Sequence, residues 1–173
     1  MKRQDFRFFH PLRVRWAEVD MQKIVFNAHY LMYLDTAIAE YWRAVALPYE
    51  EAMLKLGGDL YVKKAAIEFH ASARFDDRLD VALRLNRIGN SSMVFSGGIF
   101  RGDELLITGE LIYVFADPST QTVKSVPEAL RQILQGFEKG QPCYRIQTGS
   151  WAELGTDAAR VRTEVFVHEQ KIP

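Results

Sequence analysis

A single cysteine, Cys143, is all the thiol this 173-residue chain carries, so no internal disulfide can staple the fold and its stability has to come from apolar burial. Long apolar runs are missing too. No stretch approaches the roughly 18 residues that suggest a membrane span. The amino-terminal MKRQDFRFFHPLRVRW is broken by charge before it reaches signal-peptide length, and a reducing cytoplasm is the expected compartment. Neither sign of charge is in excess: 22 Lys and Arg balance 22 Asp and Glu, which gives neither nucleic acid nor a membrane surface an electrostatic foothold. The four histidines, His10, His29, His70 and His168, share no metal-ligand spacing with one another or with Cys143, so metal catalysis is not expected. There is no low-complexity segment and no repeat of solenoid period.

What is present is an ordinary globular composition, 48% hydrophobic and 25% charged, in a chain long enough to bury roughly 70% of its unfolded surface. From Phe6 to Glu18 aromatic and β-branched residues alternate with Arg13 and Arg15, which predicts a first strand. After the polar stretch Asp20 to Lys23, Asn27 stands as a helix N-cap ahead of Leu31, Leu34, Ile38, Tyr41, Trp42 and Val45, spaced as on one face of a long helix. Pro48 opens a shorter helix over Tyr49 to Leu56, and Gly57-Gly58 stops it.

From Leu60 to Phe115 the period changes to two. Leu79, Val81, Leu83 and Leu85 alternate with Asp80, Ala82 and Arg84, as in a strand with one buried face. Asp76-Asp77 marks the turn before it, and Gly102-Asp103 separates the strand ending near Phe100 from Leu105, Ile107, Leu111, Tyr113 and Phe115, a hairpin. Pro118 closes the sheet, and Val126-Pro127 begins a short helix to about Phe137. The order is strand, long helix, then consecutive antiparallel strands: an α+β fold with the helix wrapped by the sheet.

The stretch Val14-Arg15-Trp16-Ala17-Glu18-Val19-Asp20, followed by Ile24-Val25-Phe26-Asn27-Ala28-His29-Tyr30-Leu31, resembles the signature of the 4-hydroxybenzoyl-CoA thioesterases, a family with the hotdog fold. The resemblance covers about Arg13 to Phe137, and takes in Ala73-Arg74-Phe75-Asp76-Asp77-Arg78-Leu79 and the turn Gly89-Asn90-Ser91-Ser92. It implies an acyl-CoA thioesterase that needs no cofactor, since CoA is part of the substrate. It also implies a homodimer, often paired into a homotetramer, whose active sites lie where the amino end of one subunit's long helix meets the other subunit's sheet.

Thioester hydrolysis needs a nucleophile, or a base for water, together with donors for the oxyanion that develops on the carbonyl. A carboxylate beside a helix amino terminus supplies both. Asp20 is the expected carboxylate, attacking the carbonyl directly to give an anhydride or activating a water. An aspartate in such a polar stretch more often only orders a turn, and its place in the family motif is what raises it above that. The resemblance assigns the oxyanion donor to the backbone N–H of Asn27, a role that suits an unpaired amide in the first helical turn. The Asn27 side chain is either a plain cap or a second donor.

Within the same motif His29 and Tyr30 are candidate substrate contacts, although a lone histidine in a first helical turn is more often packed or exposed. Glu18 reads as a solvated or structurally paired residue, or as a like charge that raises the Asp20 pKa. Lys64 and Arg87 are candidate partners for the phosphates of CoA, and Ser91 and Ser92 occupy the family's binding turn. Many relatives carry glycine where this chain has Lys23, and several have histidine at Asn27. The turn is also less basic than in the hydroxybenzoyl enzyme, so the expected acyl group is aliphatic and of short to medium length.

The hotdog domain is expected over 1–138, with a boundary in Gly136 to Pro142 and a separate segment over 139–173. In that tail Tyr144-Arg145-Ile146, Trp151-Ala152-Glu153-Leu154, Ala159-Arg160-Val161-Arg162, Glu164-Val165-Phe166-Val167 and Glu169-Gln170-Lys171-Ile172-Pro173 resemble the opening strand and helix of a GNAT-type N-acetyltransferase. The pyrophosphate-binding loop of that family is absent, so acetyl transfer is not expected. Read plainly, the tail is an amphipathic helix with Ala158, Val161, Val165 and Phe166 as its apolar stripe. Two other functions stay open for the main domain: a hotdog dehydratase, which ordinarily needs a catalytic histidine at the helix start, and an acyl-CoA binding module without turnover.

Overall fold

The structure, a computed structural model, describes residues 1–172. The chain divides into two compact units, the first Met1–Cys143 and the second beginning at Tyr144. In the first unit a strand β1 (Phe8–Arg13) leads to the long helix α1 (Asn27–Ala44) and a short helix α2 (Tyr49–Leu56). Four strands follow, β2 (Asp59–Phe69), β3 (Arg78–Ile88), β4 (Ser92–Arg101) and β5 (Glu104–Ala116), and then helix α3 (Glu128–Glu138). The strands form one antiparallel sheet in the order β1-β3-β4-β5-β2. This is the hotdog arrangement.

The helix lies on one face of the sheet because its apolar positions recur at helical spacing. Tyr30, Tyr33, Leu34, Ala37, Ile38, Tyr41 and Trp42 are all buried, and each large apolar side chain contributes about 1.5–3 kcal/mol on burial. Leu31, expected on this stripe, is 37% exposed. Tyr30 takes the inward position one turn ahead of Leu34, which rotates Leu31 off the contact line. The closest approach is made by glycine. Gly97 of β4 and Gly109 of β5 are register partners, and Leu34 lies over both. A second, smaller cluster on the far face joins Phe6, Ala82 and Phe100.

Turns fall where the residues permit them. Gly57 stops α2 in the left-handed conformation at φ 66°, and Gly102 turns the β4–β5 hairpin at φ 60°. Helix α3 is fastened by its last residue: Glu138 Oε1 accepts from the Tyr41 hydroxyl and from Leu85 N–H, both at 2.8 Å.

Three local expectations are corrected. The first strand ends at Arg13 rather than Glu18, because Arg15 N–H donates to Glu18 Oε2 at 2.7 Å and Trp16–Glu18 closes into a 3-10 turn. Asn27 is the first helical residue and Phe26 is the N-cap, with no side-chain cap. In the second unit Tyr144-Arg145-Ile146 forms no strand, since no chain is hydrogen-bonded beside it, and the unit is helical, α4 (Trp151–Arg162) continuing through Thr163–Glu169. That helix buries Gly155 against the Trp151 ring and does not gather Ala158, Val161, Val165 and Phe166 into a core of its own. Pro173, the end of the stretch that resembles an acetyltransferase, lies outside the described residues. Among those residues no helix is long and apolar enough to cross a membrane.

Candidate active site

The segment between β1 and α1 folds back on itself. Val19 and Val25 form an antiparallel bridge, and Ile24 bridges to Arg74 ahead of β3. Between them the chain reverses: Asp20 N–H donates to Ile24 O and Lys23 N–H to Asp20 O, each at 2.9 Å. Lys23 completes the reversal at φ 62°, a left-handed conformation that costs a side-chain-bearing residue roughly 1–2 kcal/mol. Glycine would adopt the same conformation without that cost.

Asp20 sits at the head of this turn, half-buried. Its Oδ1 accepts from Gln22 N–H at 2.8 Å, the turn-ordering role that any aspartate can play. No donor among the described residues reaches Oδ2, so one carboxylate oxygen is left for chemistry. Two residues past the Val25 bridge α1 begins. The N–H groups of Asn27 and Ala28 have no acceptor among the described residues, and both residues are exposed. An unpaired first turn of an 18-residue helix offers oriented donors and the positive end of the helix dipole.

Glu18 holds this junction in place. It is 3% exposed, and its carboxylate accepts from Arg15 N–H and Arg15 Nε at 2.7 Å and from the Tyr33 hydroxyl at 2.7 Å. Its own carbonyl accepts from Phe26 N–H at 2.9 Å. Burial alone would raise the Glu18 pKa. The hydrogen bonds from Arg15 N–H, the Tyr33 hydroxyl and the Arg15 guanidinium outweigh it and hold the carboxyl below its ordinary value. Glu18 is therefore a paired structural carboxylate. Nothing in residue spacing singles out Tyr33, and only its partner in the fold reveals it.

Of the other candidates, His29 is half-buried with its ring edge-on to Phe26. Tyr30 is 1% exposed, and its hydroxyl accepts from Ala73 N–H at 2.9 Å, which fastens α1 to the chain entering β3. The remaining four lie elsewhere. Ser91 and Ser92 flank the β3–β4 turn, at the far end of β3 from Arg74, and β3 is about 33 Å long at about 3.3 Å per residue. That turn is held by Arg131, whose guanidinium donates to Ile88 O at 3.0 Å and Gly89 O at 2.9 Å. Lys64 and Arg87 share one row across the sheet through Ile112 and Val94. The row faces away from α1, since its neighbours Phe95 and Leu111 are the ones buried in the core. Lys64 is paired with Glu110 at 2.7 Å. One chain thus gathers Asp20, Asn27, His29 and Tyr30 at one junction and keeps Arg87, Ser91 and Ser92 apart from it.

Residues 14–134 match the family model described as the thioesterase-like superfamily. The chain is 25% identical over 124 residues to an acyl-CoA thioester hydrolase, YbgC, of Escherichia coli O6:H1, a match covering 71% of this chain and 92% of that one. The crystal structure of a 1,4-dihydroxy-2-naphthoyl-CoA thioesterase from Synechocystis superposes with a TM-score of 0.68 at 18% identity, over 74% of this chain and 95% of that one. A Staphylococcus aureus protein solved in complex with CoA superposes with a TM-score of 0.69 at 14% identity, over 83% and 89%.

Proposed function

The chain belongs to the thioesterase-like superfamily, and from that premise we propose that it hydrolyses acyl-CoA thioesters to the free acid and CoA, with Asp20 as the reacting carboxylate and Asn27 N–H as the oxyanion donor. The observation that carries this reading is the junction itself: a carboxylate with one unclaimed oxygen, held by its own turn a few residues ahead of a helix whose first amides are unpaired. The name of the Escherichia coli relative supports the reaction, and the CoA complex of the Staphylococcus aureus protein supports the ligand on this fold.

Two routes balance. In one, an Asp20 oxygen adds to the thioester carbon, the C–S bond breaks, and the CoA thiolate leaves and takes a proton from solvent. Water then cleaves the acyl–Asp20 anhydride. In the other, Asp20 accepts a proton from water as the water oxygen adds to the same carbon, and the proton passes to the departing thiolate. In both, charge builds on the carbonyl oxygen, where an amide at a helix start is worth most.

The reading extends to assembly. Arg87, Ser91 and Ser92 are remote from Asp20 within one chain, so a second copy has to supply them if they meet the same CoA. Strand β2 is one of the two edges of the sheet, and its Val62 and Phe69 are more than half exposed. A homodimer, alone or doubled into a tetramer, answers both observations. The acyl group proposed is aliphatic and of short to medium length.

The test is thiol release from a panel of acyl-CoA thioesters by the native chain and by Asp20→Asn, which keeps the shape and removes the charge. The reading requires kcat in the variant to fall by at least about 100-fold with folding and oligomeric state intact. Equal rates in the two proteins would sink the role of Asp20. No release from any member would leave dehydration or simple binding as the better account. Benzoyl thioesters cleaved as fast as aliphatic ones would overturn the choice of acyl group.

A further inference from the structure

The turn between β3 and β4 is held by a different part of the chain from the one that holds Asp20. Helix α3 is seated on the core by Leu130 and Leu134, both fully buried, and by Val126 just ahead of its start. That seating brings Arg131 to the turn, where Nη1 donates to Ile88 O at 3.0 Å and Nη2 to Gly89 O at 2.9 Å. The next three carbonyls are claimed in order: Asn90 O by Val126 N–H at 2.7 Å, Ser91 O by Phe115 N–H at 2.8 Å and Ser92 O by Gly89 N–H at 2.7 Å. The Asn90 side-chain oxygen accepts from the Ser125 hydroxyl at 3.1 Å.

Every carbonyl oxygen from Ile88 to Ser92 thus has a donor, and the turn's own donors do not have acceptors. The N–H groups of Asn90 and Ser91, the Asn90 side-chain amide nitrogen and the hydroxyls of Ser91 and Ser92 find no partner among the described residues. Asn90 is exposed and the two serines are half-buried. A turn that faces solvent with donors, its carbonyls drawn inward, suits a ligand rich in anionic oxygens. Arg131 contributes to this by shape more than by charge, because Glu128 Oε2 lies 3.5 Å from its Nε and offsets the cation. A planar guanidinium takes two successive carbonyls at once, whereas a lysine ammonium is a point charge on a flexible stem.

We propose that Arg131 is a positioning residue for substrate binding: by holding the Ile88 and Gly89 carbonyls it keeps the β3–β4 turn in the form that presents its donors to a phosphate of CoA. It acts through the turn and not by touching the substrate. The proposal rests on the thioesterase reading for its choice of ligand, and it gives a role to a residue of α3 that no motif marks.

The test separates the phosphates from the thioester. The acyl-CoA of the panel that is cleaved fastest is compared with the pantetheine thioester of the same acyl group, which has the same reacting centre and no phosphate. Thiol-release kinetics are measured for the native protein, Arg131→Lys and Ser125→Ala, and calorimetric titration with CoA measures binding without turnover. In Arg131→Lys, KM for the acyl-CoA is expected to rise about tenfold and CoA to bind about tenfold more weakly. Its kcat should stay within about twofold, and kcat/KM for the pantetheine thioester should be unchanged. Ser125→Ala releases the Asn90 side chain at an exposed position, and it should raise KM for the acyl-CoA alone by about two- to threefold. It decides by the same comparison if Arg131→Lys does not fold. A fall in kcat/KM for both thioesters together would make Arg131 an ordinary stabilising residue and overturn the proposal, as would an Arg131→Lys protein that matches the native one on both. If the native protein cleaves the two thioesters with equal kcat/KM, the turn holds no phosphate, and the proposal falls while hydrolysis stands. If no thioester is cleaved but CoA binds the native protein about tenfold more tightly than Arg131→Lys, hydrolysis falls and the role of Arg131 stands.

Discussion

The Tyr33 hydroxyl donates to Glu18 Oε2 at 2.7 Å, and through this bond the inner face of α1 fixes the segment that leads to Asp20. Glu18 has no solvent to fall back on, being almost fully buried, so its charge is balanced by Arg15 and its lone pairs by three protein donors. Replacing it with Gln removes the charge and misdirects one donor. We predict that Glu18→Gln lowers the unfolding free energy by about 1.5–3 kcal/mol, read from urea unfolding. A loss below about 0.5 kcal/mol would mean that the Glu18 network does not hold the junction.

The same carboxylate sets an acid limit. Its pKa in the folded chain is lowered from the ordinary 4.5, so the unfolded state binds its proton first as the pH drops. The stabilisation is fully present above about 4.5 and is lost progressively as pH falls from there through the lower folded value. Native protein should therefore lose stability on acidification below about pH 4.5 more steeply than Glu18→Gln, and the two curves should converge at the acid end. Parallel curves for the two proteins would contradict this.

Much of this architecture is legible in the residue pattern alone. Period-two runs at Leu79 to Leu85, the glycine stops at Gly57 and Gly102, and the helix from Asn27 are local signals, and local signals survive folding. The strand expected to run on to Glu18 failed because a charged side chain reaches back to its own backbone at Arg15, which an alternation pattern does not encode. Leu31 and Tyr30 both fit the spacing to Leu34, and only packing chooses Tyr30 as the buried one. Asp20 and Asn27 stood out by motif, not by physics. The pairing of Tyr30 with Ala73 arises between residues more than 40 positions apart and leaves no trace in spacing.

Lys23 offers a test of the turn that carries Asp20. At φ 62° a lysine bears a steric cost that glycine does not, while glycine pays extra chain entropy of about 0.5–1 kcal/mol. Lys23→Gly is expected to leave stability unchanged or raise it by up to about 1 kcal/mol, with full thioesterase activity. Lys23→Val, which adds a β-branch to a left-handed residue, is expected to lower stability by at least about 1 kcal/mol. Thermal unfolding of both variants decides, and destabilisation by glycine would show that the lysine side chain itself is needed.

The contact of α1 with the sheet can be examined through Leu34, which is fully buried over two paired glycines. A Cβ built on Gly97 would lie 2.5 Å from Leu34 Cδ2, and one built on Gly109 would lie 2.8 Å from Leu34 Cδ1. Both distances are well inside van der Waals contact, and a leucine clamped from two sides has little room to yield. Gly97→Ala and Gly109→Ala are each predicted to cost about 1–3 kcal/mol by overpacking. Leu34→Ala alone should cost about 2–5 kcal/mol through the cavity it leaves. In the Leu34→Ala background the added methyl of Gly97→Ala enters that cavity, so the second substitution should be neutral or stabilising there. A double-mutant cycle by chemical unfolding measures the difference. A coupling of at least about 1 kcal/mol is expected. Simple additivity would mean that the helix sits farther from β4 and β5 than these contacts require.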